Sequence, residues 1–179
     1  MSYIIDQNQL LLGKLMVFYK KDNNLPIMLS IINGESKISL RIIDWFTTNY
    51  AKKYFTKYTN KKNTRFIVYE DYKLNLKAFK KQRFDPFCRW DRIQVPFGDN
   101  SSIETTIGQL NFFKWALEND IVKYVEQNYD DIADDMNNNN SLSRSKKNLN
   151  VTRKKREELS VSASRCLKKE TIEITVNFN

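Results

Sequence analysis

Ten consecutive residues combine several groups that could do chemistry. Residues 84–93, "FDPFCRWDRI", hold one cysteine, two aspartates, two arginines and three aromatic side chains. Arginines beside Cys88 could lower the pKa of its thiol and make it a nucleophile, and the aspartates could bind a metal ion. Cations interleaved with aromatic rings could instead contact phosphates and stack on bases. The stretch therefore allows a nucleophile, a metal site or a nucleic-acid surface.

The composition of the whole chain excludes much of this chemistry. The 179 residues contain no histidine, four glycines, and two cysteines that lie far apart, Cys88 and Cys166. Catalytic triads, histidine-based and four-cysteine zinc sites, and the common glycine-rich nucleotide-binding loops are thereby excluded. Phe87 and Trp90 indicate that Cys88 is a buried structural thiol, since no base lies nearby. We expect no catalytic residue, no bound metal and no cofactor. With two distant cysteines, we also expect the protein to reside in a reducing compartment.

One enzymatic alternative stays open. Asp71 with Lys73, like Glu35 with Lys37, forms the acid-x-Lys triplet that metal-dependent nucleases place on a strand. Such an enzyme needs a second carboxylate within reach of the metal. The candidates are Asp44, Asp85 and Asp91. Triplets of this kind arise by chance in a chain with 28% charged residues, so the nuclease interpretation ranks below binding.

Charge is unevenly distributed along the chain. The net charge is +9, yet residues 52–92 hold thirteen Lys or Arg against four acidic residues, and residues 93–140 hold two against nine. Residues 141–179 return to ten against four, and the run "SRSKKNLNVTRKKR" at 143–156 contains seven cations and no acid. A run of like charges repels itself unless a partner neutralises it. The acidic residues at 126–135 could be an internal partner.

The basic segments predict contacts with nucleic acid. Lysine and arginine clusters bind phosphate backbones through counterion release and need no base contacts. We assign binding to segments 77–92 and 144–156, with DNA preferred over RNA. The alternative is a solvated surface whose neighbouring aromatic residues belong to the core. The predicted binding residues are Lys77, Lys80, Lys81, Arg83, Arg89, Trp90, Arg92, Arg144, Lys146, Lys147, Arg153, Lys154, Lys155 and Arg156.

The elements that must position these residues follow from periodicity and turn signals. Apolar residues at 10–19 and 27–32 predict strands or buried segments, separated by turn-forming residues. Apolar spacings of three and four predict an amphipathic helix over 37–54, with Ser36 or Ser39 as its cap.

The middle of the chain alternates between strand and helix signals. A strand is predicted to start within 65–69, and the Asp-Pro pair at 85–86 predicts a capped turn or short helix. Alternating apolar residues predict a strand at 92–97, which its proline places at a sheet edge or end. A Thr-x-x-Gln capping box opens the strongest predicted helix, over 105–136, with a break near Asn128.

Composition divides the chain into three parts. Residues 1–136 are predicted to form the core domain, and residues 137–156 a flexible polar and basic linker. Residues 157–179 are predicted to form a helix and then a strand, "TIEITVNF", which returns to the core sheet or pairs with another chain. No stretch reaches the roughly 18 apolar residues that a membrane span needs, and no secretory signal is predicted.

Several longer stretches have a distinctive amino-acid sequence. They are "ISLRIIDWFTTNYAKKY", "YKLNLKAFKKQRFDPFCRW", "ETTIGQLNFFKWALENDIVKYVEQNYDDI" and "RKKREELSVSAS" before the terminal strand, about residues 34–178. In these stretches, above all "FDPFCR" and "IGQLNFFKWA", the chain resembles an uncharacterised protein family of nucleocytoplasmic large DNA viruses, the giant viruses of protists. The resemblance supplies no catalytic residues. It implies a place in the host cell, either a cytoplasmic virus factory or the nucleus, or in the virion.

These expectations combine into an α+β fold, with a small, mostly antiparallel sheet packed on two main helices, a flexible basic linker and a C-terminal strand. The predicted function is non-enzymatic nucleic-acid binding by a viral protein, mainly through phosphate contacts. The first alternative is a virion structural, minor capsid or assembly protein that binds viral proteins or a second copy through its terminal strand. The second alternative is the metal-dependent nuclease.

Overall fold

Helices dominate the computed structural model, which describes residues 6–21, 23–60, 65–88, 90–97 and 101–149, with backbone only for residues 97, 101 and 141–149. In chain order the elements are α1 (Gln7–Tyr19), α2 (Asn24–Ile32), α3 (Leu40–Trp45), a π-helical turn (Phe46–Tyr50), α4 (Ala51–Lys53), β1 (Lys57–Tyr58), β2 (Phe66–Ile67), α5 (Val68–Phe84), β3 (Arg92–Phe97), β4 (Ser101–Thr106), α6 (Ile107–Glu118), α7 (Ile121–Gln127) and α8 (Tyr129–Leu149). The fold is α+β, as predicted. Its described strands form two separate antiparallel pairs, β1–β2 and β3–β4, rather than one sheet.

Residues 10–19 and 27–32 were predicted as strands or buried segments; both contain buried side chains, but the strands were wrong, because these residues form α1 and α2. Short apolar runs cannot distinguish a buried helix from a strand. Leu15 and Tyr19, four residues apart, face the core, as helical spacing requires. Pro26, which suggested a turn, lies in the first turn of α2, where its missing N–H costs no helical hydrogen bond.

The helix predicted over 37–54 is confirmed, but its middle widens. Ser39 is the cap, since its hydroxyl oxygen accepts a hydrogen bond from the Ile42 N–H (3.3 Å). The π-helical turn begins directly after α3, where the Thr48 hydroxyl donates to the Asp44 carbonyl (2.6 Å). A hydroxyl bonded to the carbonyl four residues earlier competes with the backbone N–H, which is consistent with the widened turn.

The single helix predicted over 105–136 is three helices. Its start is confirmed, because the Thr106 hydroxyl accepts from the Gln109 N–H (3.1 Å). The predicted break near Asn128 is also present, between α7 and α8. A further break lies at Asp120, whose backbone is left-handed with a φ of 56°. An aspartate in this conformation ends α6 because it cannot continue a right-handed helix.

Helix α8 extends into the predicted linker. Residues 137–149 are helical, where the sequence predicted irregular backbone. The Asn139 side chain donates to the Asp135 carbonyl four residues earlier (2.8 Å), so its bond lies within the helix rather than in a turn. The chain divides after Ser141 into two units, and of the second the structure describes the helical backbone of 142–149. The remaining linker residues and the predicted C-terminal helix and strand lie outside the described residues.

The two most specific sequence motifs pack against each other. A Cβ on Gly108 would lie 2.9 Å from the Asp85 carbonyl oxygen and 3.0 Å from that of Gln82, so glycine permits the approach of α6 to the end of α5. The Asn111 side chain then donates to the Arg83 carbonyl (2.9 Å). "FDPFCR" and "IGQLNFFKWA" therefore mark a packing contact.

The core behind this contact is largely aromatic. Phe84, Phe112 and Trp115 are buried, with ring centroids 5.5–5.9 Å apart. The contacts of Phe84 with the other two rings are edge-to-face, an arrangement that adds to the free energy of burial. None of the helices in the part of the chain that the structure describes is both long enough and apolar enough to cross a bilayer.

Candidate nucleic-acid interface

The stretch at 84–93 begins as the predicted capped turn. The Asp85 carboxylate accepts from the Phe87 N–H (2.9 Å), and the Cys88 N–H bonds to the Asp85 carbonyl (3.2 Å). Phe84 is buried, but Phe87 is 54% and Trp90 44% exposed, so these two rings do not bury Cys88 as predicted, and Trp90 has the exposure that its assignment as a binding residue requires. They follow the turn onto the surface, which leaves Cys88 half-buried.

Two predicted binding arginines have partners within the protein. The guanidinium of Arg83 donates to the side-chain oxygens of Asn8 (2.8 Å) and Gln7 (2.9 Å), which joins the start of α1 to α5. Arg92 pairs with Glu104 across the β3–β4 hairpin at 2.5 Å. Both side chains therefore have a structural role in the described fold.

For the other predicted binding residues, the structure describes the side chain, the backbone alone, or neither. Lys77, Lys80 and Lys81 are exposed on α5. Lys80 has a φ of 63° and a ψ of 164°, so it interrupts the helix. The backbones of Arg144, Lys146 and Lys147 belong to α8, but their side chains lie outside the description. Arg89, Arg153, Lys154, Lys155 and Arg156 lie wholly outside the described residues.

The structure brings together cations that the site prediction missed. The Lys52 and Lys73 ammonium nitrogens each lie 5.6 Å from the centroid of the Tyr69 ring. Lys77 follows Lys73 by one helical turn and is exposed. We call these four residues the α4–α5 surface. The excess of cations in residues 52–92 was the only sequence signal for this surface. That α4 and α5 meet at the Tyr69 ring is a tertiary contact, which residue spacing does not reveal.

Lys53 and Tyr54, beside this surface, are tied to α8. The buried Asp135 carboxylate accepts hydrogen bonds from Lys53 Nζ, from Trp45 Nε1 (3.0 Å) and from the Tyr54 hydroxyl (3.3 Å). Burial alone would raise the pKa of Asp135, but the bonds from Lys53 and Trp45 outweigh it and hold the pKa below its ordinary value. The hydrogen bond to Asp135 in turn raises the pKa of Lys53. This ammonium is therefore compensated within the protein.

The carboxylates of the nuclease alternative have other surroundings. Asp71 accepts from Trp115 Nε1 (2.5 Å) and from the Asn75 side chain (3.0 Å). Burial, and secondly the charge of Asp85, raise the pKa of Asp44 to about 6. In the described ranges no three cysteine or acidic side chains are grouped so that they could hold a metal ion.

Comparison with known proteins places this arrangement in a family. The model of a family of unknown function, DUF7197, matches residues 2–179. The chain belongs to this family. A similar protein is the "Uncharacterized protein L507" of Acanthamoeba polyphaga mimivirus, 46% identical over 128 residues, or 67% of the chain. The resemblance to a giant-virus family is thereby confirmed.

The match with the mimivirus protein covers only part of that relative. The aligned residues make up 49% of the mimivirus protein, so the chain spans about half the length of that relative. No solved structure matches the chain significantly.

Proposed function

We propose that this protein binds nucleic acid without catalysing a reaction on it, mainly through phosphate contacts. The convergence of Lys52 and Lys73 on Tyr69 carries the proposal. Two 5.6 Å contacts with one ring centroid limit the separation of the ammonium groups to about 11 Å, close to the Debye length of roughly 8–10 Å in ordinary salt. At this separation or less the two charges repel each other, and a phosphate bound near both would offset that repulsion.

Salt-dependent binding tests the proposal. Each phosphate contact lowers the logarithm of the binding constant by about 0.9 per decade of salt for duplex DNA, and by about 0.7 for single strands. We expect the triple variant Lys52→Ala, Lys73→Ala and Lys77→Ala to bind more weakly, with a slope smaller by about two to three. The matched control changes three exposed lysines of α1 and its end, Lys14, Lys20 and Lys21. Equal affinity of both triple variants would contradict the role of the α4–α5 surface.

The proposed partner is DNA in preference to RNA, and the proposed location is the cytoplasmic virus factory, the host nucleus or the virion. Segment 144–156 is proposed as a second basic contact. A virion structural or assembly role is the other candidate, because Leu10 and Val17 are 55% and 57% exposed and lie two helical turns apart on α1. Sedimentation decides between the two: stable self-association without nucleic-acid binding near physiological salt would favour assembly.

The metal-dependent nuclease is the remaining proposal, and it has less support. The contact of Asp71 with Trp115 gives this carboxylate a structural role. A nuclease would cleave DNA only with magnesium, and cleavage would be lost in Asp71→Asn or Lys73→Ala. Absence of cleavage by the unchanged protein with magnesium would end this interpretation.

A further inference from the structure

Phe55 occupies a backbone position that favours glycine. It follows Tyr54, which ends α4, and has a φ of 49°. The next N–H, that of Thr56, bonds back to the Ala51 carbonyl (3.1 Å). This bond defines a Schellman ending, in which the left-handed residue is usually glycine because a Cβ is strained there. A bulky aromatic side chain at this place therefore opposes local stability.

The fold makes little use of the Phe55 ring. The side chain is 53% exposed. Tyr54 is equally exposed, but its ring lies 4.5 Å from that of Tyr50 and 4.7 Å from the Lys53 ammonium. Among the described residues, the ring and cation contacts at this turn involve those side chains and not Phe55. A strained, exposed aromatic residue without a packing role points to a function outside the fold.

The surroundings of Phe55 specify the kind of ligand. Lys52 precedes it and Lys57 follows it, both exposed, whereas the exposed Lys53 is paired with Asp135. An aromatic ring among cations fits a ligand that offers both phosphates and accessible flat rings. The exposed Trp90 is less suited, since the nearby described cation, Arg92, is paired with Glu104.

We propose that Phe55 stacks on a base of single-stranded nucleic acid while the α4–α5 surface contacts its phosphates. This inference rests on the proposed function and narrows its substrate class. A duplex hides the faces of its bases in the internal stack, whereas a single strand exposes them. Stacking tolerates any base, so the preference is for strandedness and not for sequence.

Binding of the full chain to three probes tests the stacking. The probes are labelled oligothymidylate, labelled oligouridylate and a DNA hairpin duplex, followed by fluorescence anisotropy at about 50 mM salt. We expect Phe55→Ala to weaken binding of the single strands roughly tenfold and of the duplex less than about twofold. Phe55→Trp should retain single-strand binding. Ile32→Ala, which shortens an exposed apolar side chain at the end of α2, is the control and should change neither.

A glycine variant separates stacking from folding. Phe55→Gly should lose the same affinity for single strands and yet melt at a higher temperature than Phe55→Ala, because glycine relieves the left-handed strain. The two oligonucleotides distinguish DNA from RNA. If Phe55→Ala leaves single-strand binding unchanged, or weakens duplex binding equally, stacking is overturned while the lysine result stands. If the unchanged protein binds none of the probes, the proposed function fails and this inference fails with it.

Discussion

Asp135 joins α8 to the helical segment that leads into the α4–α5 surface. Its side chain is only 6% exposed. The carboxylate pairs with Lys53 and accepts hydrogen bonds from the indole of Trp45 and the hydroxyl of Tyr54. With the Asn139 side chain, whose amide donates at 3.4 Å, four donors surround one buried carboxylate and satisfy the hydrogen-bonding capacity that a buried charge requires. The Lys53 end of this pair is solvent-exposed, so the stabilising effect resides mainly in the buried carboxylate and its neutral donors.

Removing this carboxylate should destabilise the fold. We expect Asp135→Ala to lower the free energy of unfolding by about 1–3 kcal/mol, because Trp45 Nε1 loses its acceptor, while Asp134→Ala on the exposed side of α8 changes it little. The pKa of Asp135 is lowered by folding, so its contribution is present above the unfolded value near 4 and is lost as the pH falls below it. Urea unfolding at several pH values should therefore show the deficit of Asp135→Ala shrinking in acid. A deficit that is constant down to low pH would contradict the charged role.

Helix α5 contains a second position that favours glycine. Lys80, with φ 63° and ψ 164°, occupies a backbone region that costs non-glycine residues on the order of 1–3 kcal/mol. We expect Lys80→Gly to melt at a higher temperature than Lys80→Ala, which removes the same charge and keeps the Cβ. The same pair of changes at Lys77, inside the helix, should give the opposite order. Thermal unfolding of the four variants measures both differences, and a lower melting temperature for Lys80→Gly than for Lys80→Ala would rule out strain at this position.

The sequence predicted those elements whose determinants are local. The caps at Ser39 and Thr106 need only a hydroxyl and an N–H three residues on, and both are present. The strand at 92–97 is equally local, since its apolar residues alternate. Helices α1 and α2 could not be predicted in this way, because a short apolar run does not distinguish a buried helix from a strand.

The candidate site shows the same division. The basic character of residues 52–92 is visible in the sequence, and the structure exposes Lys77 of this segment. The sequence could not show that Arg83 and Arg92 have partners within the fold, since these partners come from α1 and from the opposite strand. Nor could it show Lys52 beside Lys73, because that proximity depends on how α4 meets α5.

Across the whole molecule, folding neutralises part of the charge segregation. Carboxylates of the acidic segment pair with cations from other parts of the chain, as Asp135 does with Lys53 and Glu104 with Arg92. Within the described residues, no ion pair involves Lys52, Lys73 or Lys77. The acidic residues of 93–140 therefore lower the net charge of the protein, but none of the described ion pairs neutralises a lysine of the α4–α5 surface. A cationic region that survives folding raises the rate of encounter with a polyanion.

The basic run at 153–156 provides a separate test of this electrostatic account. If it and the α4–α5 surface contact one nucleic acid independently, their contributions to the salt dependence add. Changing Arg153, Lys154, Lys155 and Arg156 to Ala should weaken binding to all sequences alike and reduce the slope by up to about 0.7–0.9 per lost contact. The control replaces three other cations of this tail with Ala: Arg165, Lys168 and Lys169. Combination with the Lys52, Lys73 and Lys77 changes should sum the two reductions, measured as binding constants over a salt series. An unchanged slope in the quadruple variant would remove the run at 153–156 from the interface and leave the α4–α5 surface as the cationic contact.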